Sequence, residues 1–438
     1  MKSILTAPIY NEEKTMMHFI KCIPKKIKNN QFLKHGAVFT IASGLVNILG
    51  YLFHALASRY LGPEKYSDVV TIIAYSLILS VPIMAANVVI VKRVGREETI
   101  EKKRLVVVAI EKALYKLIKK HWRYLPLIYL ALMGAGYLNN LTAWSYIIMP
   151  IFVLLFIFSQ VYVPLLQSIK LFFSLSVVIA IVGLIKLSGA ITTIFVDSVV
   201  WLLLLLTASA LAQVLLGHRY TQKFTHKNLE KKSFIFSLKR IVHNKKVQLT
   251  FFSVLGVVLL NNLDVLFAKK FFSAHEAGLF GIWSLFAKLI AYSSIPLSAV
   301  VLVFFTDKNS QQESKKVLAI SALLILGLGI VLLGVYWMFG GFILKTFVGS
   351  EFLAIAQFLP LAAIFGTFYS LIFVMNNYLL AHDSRAALVI AITIPILYTI
   401  IFILAQSIQQ LVIMDVIGSG AMLMMLLISI PKIRTSYL

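Results

Sequence analysis

Roughly a dozen apolar runs, each near the ~20 residues a membrane-crossing helix needs, alternate along this chain with polar gaps, and positive charge fills every second gap. The odd-numbered gaps hold six basic residues: Arg59, Lys65, Lys186, Lys269, Lys270 and Lys345. One more, Lys288, lies inside an apolar run. Of 41 Lys and Arg, the other 34 (41 − 7) fall in the N-terminal tail, the even-numbered gaps and the C-terminal tail. Basic loops stay on the cytoplasmic side of a membrane. The pattern predicts an all-α polytopic membrane protein with both termini in the cytoplasm.

Composition narrows the class further. Sixty per cent apolar residues and a mean hydropathy of +0.90 exclude an ordinary soluble domain. A net charge of +24 would suggest nucleic acid in a soluble protein. Beside membrane spans, basic loops instead hold the cytoplasmic face and meet anionic headgroups, at about 1 kcal/mol per basic residue. Anionic membrane lipids are therefore expected partners and nucleic acid is not. The single cysteine, Cys22, allows neither an internal disulfide nor a metal cluster. The first 34 residues are polar and basic without a clean apolar core, so no cleavable signal is expected.

The spans read as 36–57, 67–91, 124–138, 144–165, 172–190, 193–216, 248–268, 277–305, 317–344, 353–380, 386–405 and 411–430. The longest internal polar interval, 217–247, divides them six and six. The expected organisation is a basic tail over 1–34, an N-terminal lobe over 35–216, a basic linker over 217–247, a C-terminal lobe over 248–430 and a tail over 431–438. An even number of spans per half gives both halves the same orientation, hence a parallel repeat about an axis along the membrane normal. Faint similarity agrees. Residues 59–64 align with 270–275 at an offset of 211 (270 − 59), and 166–170 align with 381–385 at 215 (381 − 166). Between spans two and three, Lys112, Lys116, Lys119 and Lys120 recur at helical spacing opposite Val108, Ile110, Leu114, Leu117 and Ile118. This stretch, 105–123, reads as an amphipathic helix on the inner leaflet. Trp122 and Trp144 would anchor the two ends of spans three and four.

Polar groups inside hydrocarbon are costly unless they meet a partner or water. Ser43, Asn47, His54 and Ser58 share one face of span one. Ser76, Ser80 and Asn87 share one face of span two, with Pro82 between. Span seven carries Ser253, Asn261, Asn262 and Asp264. Span eight carries Ser284, Lys288 and Tyr292 at i, i+4 and i+8, then Pro296. These faces either line a central cavity or bond helix to helix. Lys288 is the sharpest residue, roughly 20 Å into its span at 1.5 Å per residue. A charge at that depth costs about 3 kcal/mol. It either holds an anionic substrate group or pairs with Asp264. Arg59 either snorkels or rings the cavity mouth, whereas Lys269 and Lys270 read as snorkelling to headgroups. Asp197 and Asp415 read as isolated acids near the boundaries, paired locally or exposed. Asn376 and Asn377 are expected to face protein. Pro82, Pro150, Pro296, Pro360 and Pro395 are expected to kink their helices.

Two resemblances follow. Ala7-Pro8-Ile9-Tyr10-Asn11-Glu12-Glu13 resembles the opening strand and loop of family 2 glycosyltransferases, but that fold needs a large soluble domain where a membrane span begins about 22 residues later. The stretch reads as coincidence or remnant. More extensively, residues 35–430 resemble the polysaccharide-biosynthesis flippases of the multidrug/oligosaccharidyl-lipid/polysaccharide (MOP) exporter superfamily. The likeness rests on Ala57-Ser58-Arg59-Tyr60-Leu61-Gly62-Pro63-Glu64-Lys65-Tyr66, with looser support from Asn261-Asn262-Leu263-Asp264, Leu165-Leu166-Gln167-Ser168 and Asn377-Tyr378-Leu379-Leu380-Ala381. Ser67 and His382-Asp383 depart from it. The resemblance implies two six-helix lobes around a cationic cavity. It also implies transfer of a polyprenyl-pyrophosphate-linked oligosaccharide to the outer leaflet for cell-surface polysaccharide such as O-antigen. Lys288 and Arg59 suit the pyrophosphate; Asn47, His54, Asn87, Asn261, Asp264, Ser284 and Tyr292 complete the expected substrate-binding set. Glycan-assembly enzymes are further expected partners, and no cofactor is called for. With no ATP-binding motif in the sequence, ion coupling or membrane potential would supply the drive. The rivals are a cation-coupled drug antiporter of the same superfamily, a membrane-embedded polysaccharide polymerase or ligase, and a non-transporting scaffold. The antiporter would favour buried carboxylates. The enzyme would need a sizeable exterior loop, and the exterior gaps are short.

Overall fold

A computed structural model describes residues 31–95, 99–169, 171–225, 245–306, 311–382 and 384–429. The glycosyltransferase-like stretch at 7–13, Cys22 and the centre of the basic linker lie outside the described residues, as does the side chain of Ser43.

Every described element is helical. Seven helices are long and apolar enough to cross a membrane unaided, and two further segments qualify as bent pairs. The first helix, Gln31–Leu79, hides a reversal. His54 Nδ1 lies 2.9 Å from the Tyr66 hydroxyl. Twelve residues of straight helix would separate them by about 18 Å. The chain therefore doubles back at Gly62, whose φ of +70° is open to glycine and strained for other residues. Spans one (31–61) and two (63–79) are the two arms of this hairpin. Span two continues as Val81–Gly95 after a 48° bend beside Pro82.

A helix over Ile100–His121, capped by Thr99, then leads into span three, Leu125–Leu138. Span four is Ala143–Ser159 extended by Tyr162–Ser168, span five Phe172–Phe195, and span six Val199–Thr225. The last helix runs nine residues past 216 (225 − 216), because His218, Arg219 and Lys223 are compatible with a helix leaving the apolar layer. Span seven is broken, Lys245–Leu260 then Leu263–Phe271, with 44° between the pieces. Spans eight and nine are Ala274–Thr306 and Gln311–Phe347. Spans ten, eleven and twelve are Leu359–Ala381, Leu388–Leu404 and Ile408–Ser429. Pro360 kinks nothing: it sits in the first turn of span ten, where no backbone N–H is needed. Pro150 and Pro395 lie inside their helices.

Spans one, five, six and four pack successively in the N-terminal lobe, and spans eight, nine, ten and twelve do so in the C-terminal lobe. The lobes meet where the span one–two hairpin packs on span eight. Apolar side chains that ordinary cores would bury lie exposed around the rim, among them Leu127, Phe195, Leu323, Ile330, Trp337 and Ile403. A lipid-facing belt explains that exposure, and the chain is a multi-pass membrane protein.

The turns at Gly62, 139–142, 196–198, 271–273 and 348–350 gather on the face opposite the basic loops, and there the lobes are fastened together. Lys269 is buried and its Nζ lies 2.7 Å from Asp68 Oδ1, an ion pair across the lobes. Lys269 also donates to Ser67 Oγ at 2.7 Å. The other Asp68 oxygen accepts from the Thr142 backbone N–H at 3.1 Å and from its hydroxyl at 2.6 Å. Lys270 donates to the Leu138 carbonyl, and Asn140 donates to the Lys270 carbonyl at 3.1 Å. The snorkelling reading of Lys269 is thereby corrected, because an acid from the other lobe supplies its counter-charge inside the protein. Lys270 is exposed but also fastened to protein. Arg59 donates to the Thr346 carbonyl at 2.6 Å, and Lys65 pairs with Asp197. Gly278 of span eight lies against the turn of the hairpin: a Cβ there would stand 2.0 Å from the Pro63 carbonyl oxygen.

Candidate functional site

Beneath this fastened face lies a cavity of about 200 Å³ between spans one, five and eight. Asn47, Gly50, Tyr51 and His54 line it from span one, Val182, Gly183 and Lys186 from span five, and Leu285 and Tyr292 from span eight. A smaller pocket of about 30 Å³ adjoins it, sharing His54, Leu285 and Tyr292 and adding Tyr66, Asn262, Ser284 and Lys288. Helical periodicity aligns these groups. Asn47, Tyr51 and His54 are four and three residues apart, and Ser284, Lys288 and Tyr292 four and four.

The site is cationic. Lys186 and Lys288 both lie within electrostatic reach of His54. Lys288 donates to Asn262 Oδ1 at 3.4 Å, and among the described residues no carboxylate lies within ion-pair distance of it. Asp264 acts on Lys288 electrostatically without closing a pair. His54 is held by Tyr66, and the Tyr51 and Tyr292 rings meet edge to face at 6.4 Å. Ser284 Oγ is buried without a hydrogen-bond partner among the described residues.

The charge pattern counts Lys186 with an exterior gap; the structure puts it inside span five, whose helix extends to Phe195. The span window closed at 190, and a lysine four residues from that limit read as interfacial. The available signal was its place one helical turn from Val182 and Gly183, in an otherwise apolar run. Of the expected substrate-binding set, Asn47, His54, Ser284, Lys288 and Tyr292 come together here. Arg59 lies at the far end of span one, bonded to Thr346. Asn87 lies past the bend of span two and donates to the Gln160 carbonyl at 3.3 Å. Ser58, Ser76 and Ser80 bond carbonyls of their own helices three residues back. Ser253 bonds Asn376 of span ten.

Asn261 and Asp264 flank the break in span seven, away from the cavity lining. Asp264 Oδ1 accepts from the Val265 N–H at 2.8 Å, while its Oδ2 and Asn261 Oδ1 are buried without hydrogen-bond partners among the described residues. Asp415 of span twelve is also buried, both oxygens without a hydrogen-bond partner among the described residues, and it acts electrostatically on Asp264. The boundary reading of Asp415 is corrected: seven residues into its helix, it points into the lobe rather than towards the interface. Tyr398 closes the remaining side by donating to the Leu260 carbonyl at 2.8 Å. Among the described residues these four buried acceptor oxygens have no hydrogen-bond donor, and the cation that acts on them, Lys288, reaches Asp264 only electrostatically. Such a group requires a proton or another cation to avoid a cost of several kcal/mol. Among the described residues no group of three or more His, Cys, Asp or Glu could hold a metal ion.

Fold and site together define a polytopic helical membrane protein with a polar cavity between two lobes. No family model and no curated protein matches the sequence. Solved structures do match. An inward-facing multidrug resistance MATE family transporter of the MOP superfamily aligns with a TM-score of 0.61 at 10% identity, over 92% of this chain and all of that one (100%). The lipid II flippase MurJ in an inward closed conformation aligns at 0.59 and 14% identity, over 90% of this chain and 87% of that one. A MATE structure in a bent conformation gives 0.59 at 11%, over 92% and 95%. The chain has the two-lobe fold of the MOP-superfamily exporters.

Proposed function

We propose that this protein is a flippase carrying a polyprenyl-pyrophosphate-linked oligosaccharide across the cytoplasmic membrane by alternating access, for cell-surface polysaccharide synthesis. The observation that carries this reading is the pair of lysines, Lys186 lining the cavity and Lys288 lining the pocket that adjoins it, both within electrostatic reach of His54 and, among the described residues, without an ion-paired carboxylate. Two cations in a low-dielectric hollow favour an anionic guest, and a diphosphate offers charge to both. Asn47, Tyr292 and Ser284 add hydroxyl and amide groups suited to sugars. At about 200 Å³ the cavity is smaller than the ~300–1,000 Å³ of a typical ligand pocket. It takes a headgroup, and the lobes must part for the glycan, with the lipid tail left between them in the bilayer.

The fastened face supports a resting state closed to the exterior and served from the cytoplasmic side, where the basic loops and both termini lie. The acceptor cluster of Asp264, Asp415 and Asn261 supports coupling to a proton or monovalent cation held in the C-terminal lobe. Those acids stand outside the cavity lining, which weighs against the drug-antiporter reading: cationic cargo would meet two lysines.

The test is reconstitution with labelled polyprenyl-pyrophosphate glycan beside a cationic dye-efflux control. Lys288→Ala and Lys186→Ala should each lower glycan transfer at least about tenfold, the loss of one charged contact of 1.5–3 kcal/mol, with abundance and insertion unchanged. Normal transfer by both variants overturns the site. Dye efflux without glycan transfer replaces the flippase with the antiporter.

A further inference from the structure

The helix Ile100–His121 has two unlike halves. Its first half docks under the N-terminal lobe: Val106, Val107 and Ile110 are buried in a cluster with Ile90 and Val94 of the bent end of span two and Leu165 and Leu175 of spans four and five. Glu111 marks the end of this docking, 3.2 Å from His218 at the foot of span six. Burial pushes its carboxyl up, against the pull of the His218 hydrogen bond. Beyond it, among the described residues, the helix is largely uncovered. Lys112, Lys116, Lys119, Lys120 and Arg123 are all exposed and fall at i, i+4, i+7, i+8 and i+11, one continuous stripe. Tyr115, Trp122 and Tyr124 are 68%, 58% and 57% exposed beside it. No acid occurs from 112 to 124. The chain then passes directly into span three, whose Leu127 and Leu130 are exposed towards lipid. Covalent continuity therefore fixes this half at headgroup depth.

From this geometry we infer that residues 112–124 form a docking platform for anionic phospholipid headgroups, with the lysine stripe taking the phosphates and Trp122 and Tyr124 seated at the acyl boundary. Several unopposed cations attract an anionic surface at about 1 kcal/mol each, whereas zwitterionic lipid offers them no net charge. Aromatic residues at that depth are the usual interfacial anchors. The assignment does not depend on what the cavity carries.

The test uses the full chain in phosphatidylcholine vesicles containing a minor fraction of either brominated phosphatidylglycerol or brominated phosphatidylcholine. Bromine quenches nearby tryptophan, and subtracting the signal of Trp122→Phe isolates this position. Quenching at Trp122 should be at least about twofold greater with the anionic lipid, falling to parity in Lys112→Gln/Lys116→Gln/Lys119→Gln/Lys120→Gln and in the parent protein at about 1 M salt, where the Debye length shrinks to about 3 Å. Equal quenching by both lipids in the parent protein overturns the proposal. So does an absence of Trp122-dependent quenching, which would place another protein segment or bulk water over the platform.

Discussion

Two buried acids in this protein live opposite lives. Asp68, on the face away from the basic loops, meets Lys269 and Thr142, while Ser67 takes a second bond from that lysine. Among the described residues, Asp415 in the C-terminal lobe has no hydrogen-bond partner for either oxygen, and Asp264 beside it has none for one oxygen. Burial alone does not separate them, since both are almost wholly enclosed. The difference lies in the donors that the neighbouring helices bring. An acid surrounded by donors fixes a contact between lobes. A buried acid that no donor reaches calls for a proton or another cation.

Breaking the first member should have the largest effect. Lys269→Met strands a buried carboxylate, which costs about 3–5 kcal/mol. It should lower the thermal midpoint in detergent and expose a cysteine placed at Val69, in a Cys22→Ser background, to an impermeant maleimide. Asp68→Leu combined with Lys269→Met should recover most of the lost stability, because replacing both partners removes the stranded charge. No recovery would mean that the pair does more than fasten. The second member should respond in the opposite direction. Asp415→Leu removes two unpartnered oxygens and should raise stability by about 1–3 kcal/mol while abolishing any dependence of transport on a proton or sodium gradient. A lowered midpoint would reveal a partner for Asp415 and collapse the contrast. Ser284→Ala, at the cavity wall, should change stability by less than about 1 kcal/mol yet weaken cargo affinity measurably in a transport titration. Smallest of all, Lys65→Ala breaks an exposed pair with Asp197 and should shift stability by about 0–1 kcal/mol, a change erased by salt in the same melting assay.

The membrane class and the division into two lobes are legible from charge alternation, because topology is written in local composition. The cavity is partly legible. Ser284, Lys288 and Tyr292 share a face by helical period, and period is a local property. What sequence conceals is direction across helices. Lys269 and Asp68 are 201 positions apart (269 − 68), and nothing near either one announces the other. Asp415 could be placed by depth along span twelve, but depth does not tell which neighbour it faces. Lys186 falls inside the 172–190 window yet counts with the exterior charges, since a lysine four residues from a span's end reads as interfacial even when the helix continues. Arg59 and Asn87 share a polar pattern with cavity residues, yet each bonds a backbone carbonyl elsewhere, because a pattern of polarity does not distinguish a lining from a brace.

Gly278 carries an implication for how the resting posture could be reset. The span one–two hairpin rests against it with room for a hydrogen atom and none for a methyl group. Gly278→Ala would act as a doorstop, keeping the outer seam ajar while leaving every cavity side chain as it was. If the lobes part as proposed, the seam of this 438-residue protein shuts fully only because the smallest side chain in the genetic code stands at its tightest contact with the hairpin.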